Sequence, residues 1–282
     1  MIVEPQLSRF RGPDIIRVLQ QHGQLSLSTL GKIVEPRMRE KKLRRALDRL
    51  REKRLIECRR SDRTYYFISQ APRARSECSQ LIGGMPDDFL QPLLKRSDWH
   101  HQELCEYWKF KLQQVFPTSI IVRDREIFSH NLGSRIMMAD REGYDLFPDL
   151  LLVMPNECDE RTVSVAVEIE RTRKSNKRLI RKLKVYSTQT HVDGLLYICD
   201  SGRLADTIRQ LYDQRTQAGY HRGRHYSEFY FLFSDAIETA DEPLSRIFSA
   251  RGQRVVLDQW MRTLLDTKWT LRRNEMFAGG GK

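Results

Sequence analysis

The sequence predicts a protein of the α/β class, α+β in its arrangement, with two folded parts separated by a linker. Three observations lead there. Residues 13–53 carry helical periodicity and are followed by two strand-like runs; residues 71–97 are rich in Pro, Gly and polar side chains; and from residue 98 onward helical and strand-like runs alternate. The expected division is 1–70 for the first domain, 71–97 for the linker, 98–235 for the second domain and 236–282 for a C-terminal extension. At 282 residues with 40% hydrophobic and 30% charged content, the chain has enough apolar material for a sizeable core and a smaller one.

Composition also sets expectations about surroundings. No run of about 18 apolar residues is present, so no membrane span is expected. MIVEPQLSRFRG lacks an apolar h-region, so it does not read as a secretory signal. Cys58, Cys78, Cys105, Cys158 and Cys199 are scattered, with no CxxC pair, which fits a reduced, cytoplasmic setting better than a disulfide framework or zinc knuckle. The net charge is +12, and residues 37–63 hold 13 Arg and Lys against 5 Asp and Glu. Such a concentration calls for an anionic partner. Double-stranded DNA suits it better than a membrane surface, because the segment has no aromatic-anchored apolar face.

The elements follow in order. PDIIRVLQQH reads as a helix with Pro13 in its first turn and Gly23 after its end. SLSTLGKIV is a second, short helix capped by Ser26 or Ser28. A third helix spans about Pro36 to Lys53, with Leu43, Ala46, Leu47 and Leu50 forming one apolar stripe under a basic surface. LIECRR and TYYFIS are strands around a polar turn at Ser61, Asp62 and Arg63. Three helices and then a hairpin is the order of a winged helix-turn-helix, and these residues resemble winged-helix DNA-binding domains. That resemblance puts Arg37, Arg39, Lys41, Lys42, Arg44 and Arg45 on the recognition helix and Arg59, Arg60 and Arg63 on the wing. A solvated helix pairing internally with Glu40, Asp48 and Glu52 is the alternative.

Beyond the linker, whose PDDFLQPLL holds at most a short helical turn, SDWHHQELCEYWKFKLQQVF is a helix ending before Pro117. Strands are expected at SIIVRDRE, FPDLLLVM, TVSVAVEIE, GLLYICD and EFYFLF, with helices over about 173–189 and 204–218. They describe a mixed sheet flanked by helices. VVLDQWMRTLL could add a helix, and FAGGGK reads as a disordered end.

The stretch TVSVAVEIE raises the chemical question. Alternation puts Val163, Val165, Val167 and Ile169 on one face and Glu168 and Glu170 on the other. The two carboxylates repel unless water, a cation or basic side chains intervene. One explanation is a strand end in solvent. The other is a site: antiparallel pairing of FPDLLLVM with TVSVAVEIE brings Asp149 beside both glutamates. Three carboxylates from two strands form a hard oxygen site for Mg²⁺ or Mn²⁺.

Pro148-Asp149 and Glu168-Ile169-Glu170 resemble the PD-(D/E)XK nuclease superfamily, with Glu170 where that motif carries lysine. The helix KRLIRKLKVY supplies Lys182, and Tyr186 lies four residues further on the same face. A winged helix, a PD strand, an E-x-E strand and a KLxxY helix together resemble the replication-relaxation proteins and MobC-type plasmid mobilisation relaxases. The resemblance implies a metal-dependent DNA nickase acting in plasmid or mobile-element mobilisation. Asp149, Glu168 and Glu170 would hold the metal, with Glu103 as a further acid, and Lys182 would act on the attacking water. It also implies an origin-of-transfer site, relaxosome accessory proteins and a coupling protein as partners. Arg173, Lys174 and Arg178 belong to a run of eight basic residues between 171 and 184 without an acid, which would clamp the DNA backbone.

Other chemistries fit less well. His100 and His101 are adjacent on a helix, and His221 and His225 flank Gly223, so neither pair makes a good zinc site. Tyr186 or Tyr144 could act as a nucleophile. No GxxxxGK[ST] loop is present. Two rivals remain: a replication initiator, relaxosome accessory or regulator with a silent nuclease fold, and a site-specific nuclease of a transposon or restriction system.

Overall fold

The computed structural model describes residues 12–34, 40–61, 63–90, 98–127, 138–139, 145–155, 162–172, 174–188, 192–217, 228–233, 247–249, 254–255 and 263–264. The chain divides into two compact units, Met1–Phe110 and Lys111–Lys282. The protein is of mixed α and β structure, as expected.

The first unit begins with α1 (Gly12–His22), closed by Gly23 at φ 76°, whose N–H reaches the Leu19 carbonyl at 2.9 Å. A two-residue strand, β1 (Leu25–Ser26), leads into α2 (Leu27–Val34). Ser26 is the cap, its Oγ accepting the Thr29 N–H at 3.3 Å. The third helix, α3, spans Glu40–Glu52 and buries Leu43, Leu47 and Leu50. Arg54, at φ 58°, turns the chain out of α3 and into β2 (Ile56–Arg60). The hairpin partner β3 (Thr64–Ile68) is the central strand of an antiparallel sheet ordered β1-β3-β2. Ile15, Ile16 and Leu19 of α1 pack with Leu30, Leu43, Leu47 and Ile68 in one core.

The expected linker is corrected over most of its length. Residues Pro72–Ile82 form α4, and Pro86–Phe89 form a 3₁₀ turn. The prolines and glycines that read as linker punctuation are helix boundaries. Pro72 stands in the first turn of α4, where a missing N–H costs nothing, and Gly83 and Gly84 leave the helix at φ 83° and 93°. Ala74, Cys78 and Ile82 lie at i, i+4 and i+8, and Cys78, Ile82 and Phe89 join the core of the first unit. Residues 91–97 lie outside the described residues. The next helix, α5, runs Trp99–Val115.

The second unit is built on a seven-stranded sheet. Its strands are β4 (Ile120–Arg123), β7 (Leu150–Pro155), β8 (Thr162–Glu170), β9 (Gly194–Cys199), β10 (Glu228–Phe233), β11 (Ile247–Ser249) and β12 (Arg254–Val255). They are ordered β12-β11-β10-β9-β8-β7-β4, and β5 (Met138–Ala139) and β6 (Asp145–Leu146) form a separate antiparallel pair. β4, β7 and β8 are antiparallel neighbours, whereas β8, β9 and β10 run parallel. The parallel steps carry helical crossovers, α6 (Asn176–Thr188) between β8 and β9 and α7 (Gly202–Gln217) between β9 and β10. Val122, Leu151, Ala166, Leu195 and Tyr197 share a core with Leu179, Leu183 and Tyr186 of α6 and Ile208 of α7. Leu150, Leu152, Val165, Val167, Leu196 and Ile198, on the opposite sheet face, are also buried.

The C-terminal extension is corrected in part: residues 247–249 and 254–255 add two antiparallel strands to this sheet. Of the helix expected over 255–265, Val255 is strand and only Thr263 and Leu264 are described as helical. The ending FAGGGK lies outside the described residues.

Making Phe89 part of a core has a measurable consequence. Phe89→Ala should destabilise the first unit by about 3–5 kcal/mol in urea unfolding. A loss below about 0.5 kcal/mol, the size of a surface change, would mean that residues 72–89 are a linker after all.

Candidate functional site

The register of β7 and β8 assembles the acids. Leu150 pairs with Val167, so Asp149 stands opposite Glu168 at the start of β7. The Asp149 carboxylate accepts the Ile169 N–H at 2.7 Å, which ties it to the β8 backbone between the two glutamates. Glu168 and Glu170 are 0% and 2% exposed. A strand end projecting into solvent is thereby excluded. β8 is an inner strand covered on both faces, and its carboxylates lie on the face that carries α6.

α6 supplies the counter-groups. Lys182 and Tyr186 are one helical turn apart, and both donate to Glu168: the Lys182 ammonium to Oε2, the Tyr186 hydroxyl to Oε1. Burial pushes the Glu168 carboxyl up, the Asp149 charge adds to this, and Lys182 and Tyr186 act against it, leaving a pKa raised to about 7. For Lys182, burial works to lower the pKa, but the charges of Glu168 and Asp149 and the hydrogen bond prevail, so the ammonium is held charged more firmly than usual. Burial, then the Glu168 charge, push Tyr186 well above the ordinary phenol value. Its hydroxyl therefore serves Glu168 as a donor, a setting that disfavours a tyrosine nucleophile. Tyr144 lies outside the described residues.

Glu170 has a different environment. Its Oε1 is 2.7 Å from the Lys174 ammonium, and its buried Oε2 has no hydrogen-bond partner among the described residues. A buried carboxylate oxygen left bare is costly and suits a cation. All the donor atoms offered by Asp149, Glu168 and Glu170 are hard oxygens, so the set fits Mg²⁺ or Mn²⁺. Lysine ammoniums pair with both glutamates, Lys182 with Glu168 and Lys174 with Glu170.

Glu103, the proposed further acid, is engaged within the first unit. Its Oε1 accepts the Ser26 N–H at 2.6 Å, and its Oε2 is 3.5 Å from His100 and 3.8 Å from Arg63. Burial would raise its pKa, but the adjacent His100 and the hydrogen bond from Ser26 outweigh that and hold it below the usual value.

The basic residues divide as follows. Lys41, Lys42, Arg44 and Arg45 are exposed on α3, with Arg44 bonded to Glu40 at 2.6 Å. Arg59 and Arg60 are exposed on β2, Arg59 lying over the Phe67 ring at 5.1 Å from its centroid. Arg63 is beside Glu103, and Arg178 is exposed on α6. Arg37, Arg39 and Arg173 lie outside the described residues. Lys174, expected to contact DNA, is bound to Glu170. The spacing of four residues between them was visible in the sequence, but the turn after β8 hid its meaning.

Compared with known protein families, curated proteins and solved structures, the chain shows no match.

The Glu168 environment generates a pH prediction. A carboxyl raised from 4.5 to about 7 keeps its proton in the folded chain where the unfolded chain releases it. Its contribution to stability is full below the lower value and lost as pH rises through the upper one. In chelator, the urea midpoint of the wild type should fall relative to that of Glu168→Gln between about pH 5 and about pH 8. Parallel curves would contradict this assignment.

Proposed function

We propose that the chain is a DNA-binding protein whose second unit cuts one DNA strand with the help of a divalent metal, as a relaxase does in plasmid or mobile-element mobilisation. The observation that carries this reading is Asp149 opposite Glu168, with Lys182 on the same carboxylate. Two strand acids and a buried lysine at one sheet end are the parts that metal-assisted phosphodiester cleavage needs.

The first unit is read as a winged helix-turn-helix. Its order α1, β1, α2, α3, β2, β3 and its antiparallel sheet are compatible with that fold. The exposed Lys41, Lys42 and Arg45 on α3 suit major-groove and phosphate contacts, and Arg59 and Arg60 suit the adjacent backbone. In the second unit, Mg²⁺ or Mn²⁺, held by Asp149, Glu168 and Glu170, would polarise a phosphodiester and acidify water. Lys182 would stabilise the negative charge that develops on the phosphate. Tyr186 would hold Glu168 in place, and the exposed Lys177 and Arg178 would take the DNA backbone. An origin-of-transfer sequence is the substrate this reading implies, with relaxosome and coupling proteins as partners.

One observation favours a second reading. Glu168 has no exposed surface, and both its oxygens are bonded. A network this complete also suits a winged-helix DNA binder, such as a replication initiator or regulator, whose nuclease-like unit is structural.

The test is a supercoiled plasmid carrying the protein's own flanking DNA, incubated with Mg²⁺ or Mn²⁺ or with chelator. Wild type should yield open circles only with metal, and Asp149→Ala and Glu168→Ala should nick slower by about 10²-fold or more while still binding DNA. Binding without nicking in every metal would leave the second reading. Replacing Lys41, Lys42 and Arg45 by Ala should weaken binding and reduce the salt slope by about 1 per lost phosphate contact, measured by fluorescence anisotropy. An unchanged slope would remove α3 from the interface.

A further inference from the structure

Two lysines meet the two buried glutamates, and they are not equivalent. Lys182 is fixed on α6, with 9% of its side chain exposed. Lys174 stands between the end of β8 and the start of α6, with 25% of its side chain exposed, and pairs with Glu170 at 2.7 Å. The other oxygen of Glu170 is buried, and among the described residues it has no hydrogen-bond partner. The position that carries lysine in the nuclease motif is thus an acid whose cation comes from four residues further along.

We propose that Lys174 is a built-in competitor for the cation position on Glu170, and that divalent metal binding displaces its ammonium. This rests on the metal-dependent reading above and adds a control on that same site. A dication on the bare Oε2 would lie within a few ångströms of the Lys174 ammonium, where like charges repel strongly in a poorly solvated setting. Lys182 cannot leave without losing Glu168, but Lys174 can, because its four-carbon arm already reaches solvent and no helix holds its backbone. Once displaced, the ammonium turns to solvent, at the start of a helix that exposes Lys177 and Arg178. Lys174 therefore sets how tightly the site holds metal before DNA arrives.

The test measures Mn²⁺ binding to the full chain without DNA, by calorimetry and by electron paramagnetic resonance of unbound Mn²⁺. Lys174→Met should bind Mn²⁺ on the order of tenfold more tightly than wild type. Lys174→Arg, which keeps the charge, should bind like wild type. The rise in melting temperature on adding Mn²⁺ should be larger for Lys174→Met, and Lys174→Gln serves if the methionine variant folds poorly. Equal or weaker binding by Lys174→Met and Lys174→Gln, with binding abolished in Asp149→Ala, would overturn the role of Lys174 and leave the metal site standing. No binding by wild type or by any Lys174 variant would overturn both the inference and the metal-dependent reading.

Discussion

A carboxylate with no exposed surface, facing a second carboxylate across a strand pair, is the constraint around which the second unit is arranged. Glu168 can be buried opposite Asp149 only because α6 delivers an ammonium and a phenol to its two oxygens. Uncompensated, such a charge would cost several kcal/mol. The requirement reaches beyond the site. α6 must dock with Lys182 and Tyr186 facing the sheet, and Leu179 and Leu183 follow them into the core. The parallel pairing of β8 with β9 then fixes the length of the crossover. The interaction is at once structural and chemical, which is why one network supports both a catalytic and a silent reading.

The first unit solves the same problem with the opposite result. Glu103 and Glu106 of α5 are each 1% exposed, yet Glu103 titrates low where Glu168 titrates high. The difference lies first in burial, which is more complete around Glu168, and then in the neighbours. Glu103 accepts the backbone N–H at the N-terminus of α2 and lies beside His100. Glu168 shares its site with Asp149. Glu106 meets His22, the last residue of α1, at 2.9 Å. Together the two acids tie α5 to the end of one helix and the start of the next. Residues 99–110 therefore belong to the first unit, where the sequence pattern had placed them in the second.

Much of this was legible in the sequence, for identifiable reasons. The alternation in TVSVAVEIE and the acid that opens FPDLLLVM were enough to predict, on antiparallel pairing, the meeting of Asp149 with Glu168. Helical spacing was enough to put Lys182 and Tyr186 on one face. Burial was less visible. An E-x-E strand end reads alike in solvent and beneath a helix, because what covers it comes from another part of the chain. The prolines and glycines between 71 and 86 misled for a related reason. They signal breaks, and Cys78 and Phe89 show their packing value only against α1 and β3. The short strands at 247–249 and 254–255 carry too few residues to show a period. Lys174 looked like one more base in a basic run until its ion pair with Glu170 was on the page.

The two proposals for this site share one premise, that the acids of β7 and β8 hold a cation. The most direct measurement is crystallographic: crystals of the full chain grown with Mn²⁺, with data collected to reveal anomalous scattering. The account predicts a single strong peak at about 2 Å from carboxylate oxygens of Asp149, Glu168 and Glu170, the distance a hard cation takes from oxygen. Density that leaves Lys182 and Tyr186 alone on Glu168 at saturating Mn²⁺, with no peak beside Asp149, would contradict it.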